Sequence, residues 1–217
     1  MEVVLFTPRS GSTYTAKKLA QDHNLRYAGE IFFSGPWDKE QTEYMYSGNN
    51  LNKLYSSFMD ILVNGLDEYK DAVIKICPQQ IRNICNRCDI SEIMFFRMLK
   101  QHTSIFYFCI REQLNEQWKS LYAMIMLSSE STHAHAEWEG NKYILQDKII
   151  LEQCKNIIKS DLIMMSAQYS KMSDEKKQLL IYEDWSDKSD KYSRGLDFEF
   201  DIFDSDDDLK LSNYFNF

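Results

Sequence analysis

Thr7-Pro8-Arg9-Ser10-Gly11-Ser12-Thr13 is the segment of this sequence with the densest set of residues able to do chemistry. It follows a short apolar run and opens a stretch with helical spacing. A chain that leaves a strand, turns tightly and starts a helix aims several backbone N–H groups at one point, and the helix dipole adds to their pull on an anion. Gly11 gives the turn its conformational freedom, Ser12 and Thr13 add hydroxyl donors, and Arg9 supplies a fixed cation. A helix cap needs only one such donor, so the cluster reads as an anion cradle. The loop that binds magnesium nucleotides follows Gly-x-x-x-x-Gly-Lys-Ser/Thr. Here the first glycine is missing and Ser12 stands where the lysine belongs, which disfavours magnesium-nucleotide chemistry.

Four further residues are candidates. Arg111 closes the apolar run 104–110, and the carboxyl ends of strands are where α/β folds bind ligands. Ser120 follows nine residues later on a helical stretch and has weight only as a partner of Arg111. Glu30 lies soon after the first helix, and apolar neighbours Phe32 and Phe33 favour a carboxylate of raised basicity over a solvated loop acid. Lys75, inside the run 72–76, reads equally as a site cation or as a lysine snorkelling from a buried strand. Cys85 and Cys88 share a helical face with Ile81 and Ile84, which is a core stripe and lacks the second pair a structural zinc needs. His133 and His135 offer two ligands in a polar loop, so no metal site is expected.

These residues need elements to hold them. Residues 2–7 are a nearly continuous apolar run, as in a strand covered on both faces, and 13–23 have helical spacing. Residues 72–76 and 178–182 read as strands, and 104–110, β-branched and aromatic, is the clearest one. Helices are expected over 39–66 with a break near Gly48, from an Asp89–Glu92 capping box to residue 100, over 112–127, and over 142–172 as one helix or two. Residues 196–203 alternate apolar and acidic like an edge strand. Strands alternating with helices define an α/β class, a central parallel sheet flanked by helices in three layers.

The 217 residues are enough for one well-buried domain and short for two. The expected division is an α/β domain over 1–185 and an acidic, partly irregular extension over 186–217. Residues 183–208 hold 11 acidic and 3 basic side chains, so the net charge of -8 belongs to that segment and the rest is neutral. A neutral body with an acidic tail argues against binding duplex DNA, and no nucleic-acid partner is expected. The start of the sequence has no basic region or cleavage site of a signal peptide, and no stretch reaches the ~18 apolar residues of a membrane span. Five cysteines, an odd number in mostly apolar surroundings, read as reduced core cysteines of a soluble cytoplasmic protein.

The loop Thr7-Pro8-Arg9-Ser10-Gly11-Ser12-Thr13 resembles the 5′-phosphosulfate loop of sulfotransferases that use 3′-phosphoadenosine 5′-phosphosulfate (PAPS), closest to the bacterial type that includes trehalose sulfotransferase. Arg111 at a strand end and Ser120 on the next helix resemble the family's 3′-phosphate motif, with one extra residue of spacing and with Glu112 where some bacterial members have a second basic residue. Gly29-Glu30-Ile31-Phe32-Phe33 is similar to the segment of the family's catalytic carboxylate, Lys75-Ile76-Cys77-Pro78 to a position where lysine faces the acceptor, and Tyr182-Glu183-Asp184 to the end of a late strand. The resemblance implies a P-loop-type fold, PAPS as donor co-substrate, no metal, and a small-molecule or glycan acceptor. It further implies a cradle of residues 7–13, a 3′-phosphate site of Arg111 and Ser120, and Glu30, Arg9 and Lys75 as catalytic groups. Phe32, Phe33 and Trp37 are placed by position alone as walls of the acceptor pocket. Two other readings stay open: a non-catalytic module binding a nucleotide or partner on the same fold, and a small-molecule kinase with a degenerate P-loop.

Overall fold

The computed structural model describes residues 1–32, 62, 65–128, 148–185 and 210–215. Five strands form one sheet: β1 (Glu2–Phe6), β2 (Arg26–Gly29), β3 (Ala72–Ile76), β4 (Ile105–Ile110) and β5 (Lys177–Ile181). Their order is β2-β3-β1-β4-β5, and every pairing is parallel. The helices are α1 (Ser12–Asp22), α2 (Pro78–Cys88), α3 (Glu92–His102), α4 (Leu114–Ser128) and α5 (Lys148–Ser170), followed by one helical turn at Tyr182–Trp185. This is the three-layer α/β architecture expected.

β1 is central, and successive strand side chains face opposite sides. Val3 and Leu5 enter a large core with α2, α3, α4 and α5, whereas Val4 and Phe6 enter a smaller one under Ala16, Leu19 and Ala20 of α1. Burial on both faces is why the strand reads as an unbroken apolar run. β4 divides in the same way, with Phe106, Phe108 and Ile110 on one face and Tyr107 and Cys109 on the other. β2, at the sheet edge, is Arg-Tyr-Ala-Gly, has no fully buried residue and left no apolar signature in the sequence. The cysteines are free and buried, in keeping with core roles.

The helix boundaries have local causes. Pro78 opens α2 at a position where its missing N–H is harmless, and Gln80 Oε1 accepts from the Cys77 N–H at 3.0 Å. Asp89, expected to begin a capping box, instead closes α2 in the left-handed conformation (φ 50). Ser91, extended and directly before Glu92, caps α3 by accepting from the Met94 N–H at 3.2 Å. No described helix is long and apolar enough to cross a membrane. Residues 39–61 and 196–203, with the helix and edge strand expected there, lie outside the described residues. The core does not stop at residue 185: Leu211 and Phe215 are buried in the large cluster, and Phe215 packs edge-on to Tyr169 of α5 at 5.8 Å.

Asp161 of α5 is wholly buried and takes a charged hydrogen bond from Arg82 of α2, which also donates to Ser160 Oγ at 3.1 Å. Its Oδ2 has no partner among the described residues. Burial pushes its carboxyl from 3.8 up to about 7, against the opposing pull of Arg82. A carboxyl raised in the folded state binds a proton there that the unfolded chain has released, so its contribution to stability is lost as pH rises from about 4 to about 7. Asp161→Asn keeps an acceptor for Arg82 and removes the titration. The stability of this variant relative to wild type should rise by on the order of 4 kcal/mol between acidic and mildly alkaline pH. Urea denaturation of both proteins across that range measures it, and a constant difference would contradict it.

Candidate anion-binding site

The chain leaves β1 toward β2 on one side of the sheet and leaves β4 toward β5 on the other. A crevice therefore opens between the carboxyl ends of β1 and β4, the usual ligand position in parallel sheets. The 7–13 loop stands at one lip of it and Arg111 at the other. In the loop, the Ser10 N–H donates to Thr7 O at 3.2 Å, and both Arg9 (φ 63) and Gly11 (φ 76) are left-handed. For a residue with a Cβ, that conformation costs about 1–2 kcal/mol and persists only where surrounding contacts impose it.

Those contacts come from three elements. From α4, Ser120 Oγ accepts from Arg9 Nε at 2.9 Å, and Gln117 Nε2 donates to Thr7 Oγ1 and to Pro8 O at 2.6 Å. From β4, the buried Cys109 thiol sits within 3.8 Å of Ser10 Oγ and 3.6 Å of Thr15 Oγ1. From the turn after β5, the Tyr182 ring lies against Gly11 so closely that a Cβ there would be 2.1 Å from a ring carbon.

The electrostatics of the crevice are one-sided. Burial, and then the nearby Arg111 charge, push the Arg9 pKa below its ordinary value. Among the described residues no carboxylate pairs with Arg9. Arg111 is answered by Glu183, whose Oε1 takes its Nε–H at 3.2 Å, and its guanidinium lies 5.7 Å from the centre of the Tyr182 ring. The same carboxylate accepts the Glu112 N–H at 2.9 Å and the Gln113 N–H at 3.3 Å, where the chain enters α4.

On the far shoulder of the loop the arrangement mixes signs. Lys75, buried near the end of β3, reaches Glu30 Oε1 at 2.7 Å and donates to Thr13 Oγ1 at 2.7 Å, with the Phe6 ring 4.9 Å away. Gln80 of α2 donates to Glu30 Oε2 at 2.7 Å. Tyr27 of β2 belongs to the same group: burial first, then the Glu30 charge, raise its phenol pKa, while a bond with Thr13 lowers it. Thiol chemistry has no foothold here, since burial pushes Cys77 up to about 12 and Cys109 up to about 11, which keeps both protonated.

The fold thus gathers Arg9, Ser120 and Arg111 at one side of the loop, and Thr13, Lys75 and Glu30 at the other. The direct partners differ from those anticipated: Ser120 serves Arg9, and Arg111 is held by Glu183. Phe32 faces the core against Phe95 at 5.9 Å and does not wall a pocket. His23 pairs with Glu2 at 2.9 Å, at the opposite end of the sheet from the loop. Phe33, Trp37, His133 and His135 lie outside the described residues. Among the described residues no group of three or more His, Cys, Asp or Glu could hold a metal. Tyr27, Gln80, Gln117 and Glu183 were not picked out as site residues by sequence. A capping position after Pro78 could have flagged Gln80, but the other three needed tertiary structure.

No family model matches this chain, and no curated protein matches it. Among solved structures, an uncharacterized protein from Eubacterium ventriosum is similar over 85% of this chain and 91% of its own length, at 13% identity. The TM-score is 0.31, too loose a likeness to carry an argument.

The Tyr182 contact makes Gly11 the least replaceable residue of the loop. Gly11→Ala adds left-handed strain of about 1–2 kcal/mol to a clash with a packed ring. The expected outcome is a lower denaturation midpoint together with weakened anion binding, read by thermal melts with and without sulfate. A melt and a sulfate response equal to wild type would mean that the ring yields freely.

Proposed function

We propose that this chain is a PAPS-dependent sulfotransferase, moving a sulfuryl group to a hydroxyl or amine of a small-molecule or glycan acceptor. The observation that carries the reading is Arg9. A guanidinium held in a strained backbone conformation, beside a second guanidinium and with no carboxylate partner among the described residues, is unfavourable unless an anion completes it. The site is therefore built for negative charge at the end of β1, where the family loop wraps the phosphosulfate.

Each residue then has a separate task. In the transfer the acceptor oxygen or nitrogen bonds to sulfur as the sulfur–oxygen bond to the 5′-phosphate breaks. Arg9 and the first-turn N–H groups of α1 neutralise the charge that grows on the departing phosphate. Glu30 takes the acceptor proton, with Gln80 and Lys75 holding its carboxylate in place. Lys75 also touches Thr13 of the loop, so one cation spans base and anion site. Arg111 supplies the 3′-phosphate interaction, sharing its charge with Glu183. Serine follows Gly11 where a magnesium-nucleotide loop has lysine, which favours sulfuryl over phosphoryl transfer.

Ligand identity tests this first. Adenosine 3′,5′-bisphosphate should raise stability without magnesium, by about 2.7 kcal/mol at a hundredfold excess over its dissociation constant. Stabilisation by ATP with magnesium alone would replace this reading with the kinase one. Chemistry is tested by Glu30→Gln, which keeps the Gln80 and Lys75 contacts sterically and cannot accept the proton. Turnover with labelled donor and a panel of sugars, phenols and amines should fall roughly 10²- to 10⁴-fold while bisphosphate affinity changes little. Undiminished turnover would remove Glu30 from the mechanism, and tight binding with no turnover by wild type would favour a non-catalytic module.

A further inference from the structure

We propose that Gln117 is a positioning residue of the anion loop: its carboxamide sets the orientation of the Pro8–Arg9 peptide so that the Arg9 N–H faces the ligand. The inference rests on the reading of the loop as an anion site, and its geometric part is testable apart from that reading.

Gln117 is fully buried on α4, and its Nε2 donates to both Thr7 Oγ1 and Pro8 O. The orientation of the amide follows from its partners. A carbonyl only accepts, so the nitrogen must face Pro8 O, which leaves Gln117 Oε1 without a hydrogen-bond partner among the described residues. A buried orphan acceptor is destabilising, because it has lost its water without gaining a donor. Packing alone does not account for such a group, because a leucine or methionine fills similar space with no polar atom to satisfy.

What the carboxamide accomplishes lies in the loop. The turn engages Thr7 O with the Ser10 N–H and leaves Pro8 O for Gln117. In a planar trans peptide the C=O and the following N–H point in opposite directions. Drawing Pro8 O toward α4 therefore turns the Arg9 N–H away from α4. The same constraint helps hold Arg9 at φ 63. Ser120, three residues further on and so on the same face of α4, fixes the guanidinium of that residue through Nε. One helix face thus sets both the main chain and the side chain of Arg9, through Gln117 and Ser120.

The test uses Gln117→Leu, with Gln117→Met as a second apolar variant should leucine's branching disturb packing. Loss of the orphan oxygen partly offsets loss of the donor to Thr7 Oγ1 and Pro8 O, so the denaturation midpoint should fall only modestly. Adenosine 3′,5′-bisphosphate affinity should nevertheless fall about tenfold, the loss of one or two hydrogen bonds to a charged group. A residue that merely stabilises the fold would lower the midpoint and leave affinity alone, which would overturn the proposal. A ligand-free readout separates this from the functional reading: the backbone 13C shifts of Pro8, Arg9 and Ser10 should move in the variants. If they stay in place, Gln117 does not position the loop, whatever the protein binds. If they move but the wild type ignores the bisphosphate, the positioning role stands and the sulfotransferase reading falls.

Discussion

Like-charge repulsion between Arg9 and Arg111, at the mouth of the crevice between β1 and β4, is the constraint that organises this end of the molecule. Burial is the larger cause of the lowered Arg9 pKa, and the nearby Arg111 charge, repelling more strongly in a half-buried setting than in water, adds to it. Among the described residues only one of the two cations meets a carboxylate, with Glu183 on Arg111 and on the two amides that lead into α4. Arg9 keeps a hydroxyl partner, Ser120, which orients it and does not neutralise it. The asymmetry leaves an electrostatic deficit at one place, the end of the central strand.

The other shoulder of the loop shows the opposite design. Lys75, Glu30 and Gln80 satisfy one another with short contacts, so no charge stands alone. Thr13 joins this group to the loop through Lys75, and the Gln80 cap on Cys77 joins it to the start of α2. A carboxylate held on both oxygens is well oriented but already engaged. Under the proposed function, an acceptor hydroxyl shares an oxygen of Glu30 with Lys75 or Gln80. This divides the site into a part that attracts and a part that aligns.

Much of this fold was legible in sequence because its central strands are buried on both faces. β1, β3 and β4 announce themselves as short apolar runs, and α2 declares its core stripe through Ile81, Ile84 and the two cysteines. β2 was silent, since an edge strand of Arg, Tyr, Ala and Gly carries neither alternation nor an apolar run. The loop was legible because donors, glycine and arginine crowd into seven residues. Partnerships were not. Spacing along the chain paired Ser120 with Arg111, but the rotation of α4 presents Ser120 and Gln117 to the β1 loop, a relation that depends on how the helix lies across the sheet. A run of acids dominates the composition of the last segment and hides the few apolar residues beyond it, Leu211 and Phe215, which insert into the core.

The separation of the clamping residues along the chain has a kinetic consequence. The contact of Gln117 with Pro8 spans 109 residues and that of Ser120 with Arg9 spans 111, and β1 finds neighbours only once both β3 and β4 are present. Contacts of such length are closed late, because the loop entropy must be overcome before they give any return. The β1–β4 pairing is about as long-range, with Glu2 opposite Ile105, so the clamp on the loop closes no earlier than the centre of the sheet. Anything that binds only the closed clamp then slows escape from the native state more than it changes the speed of reaching it.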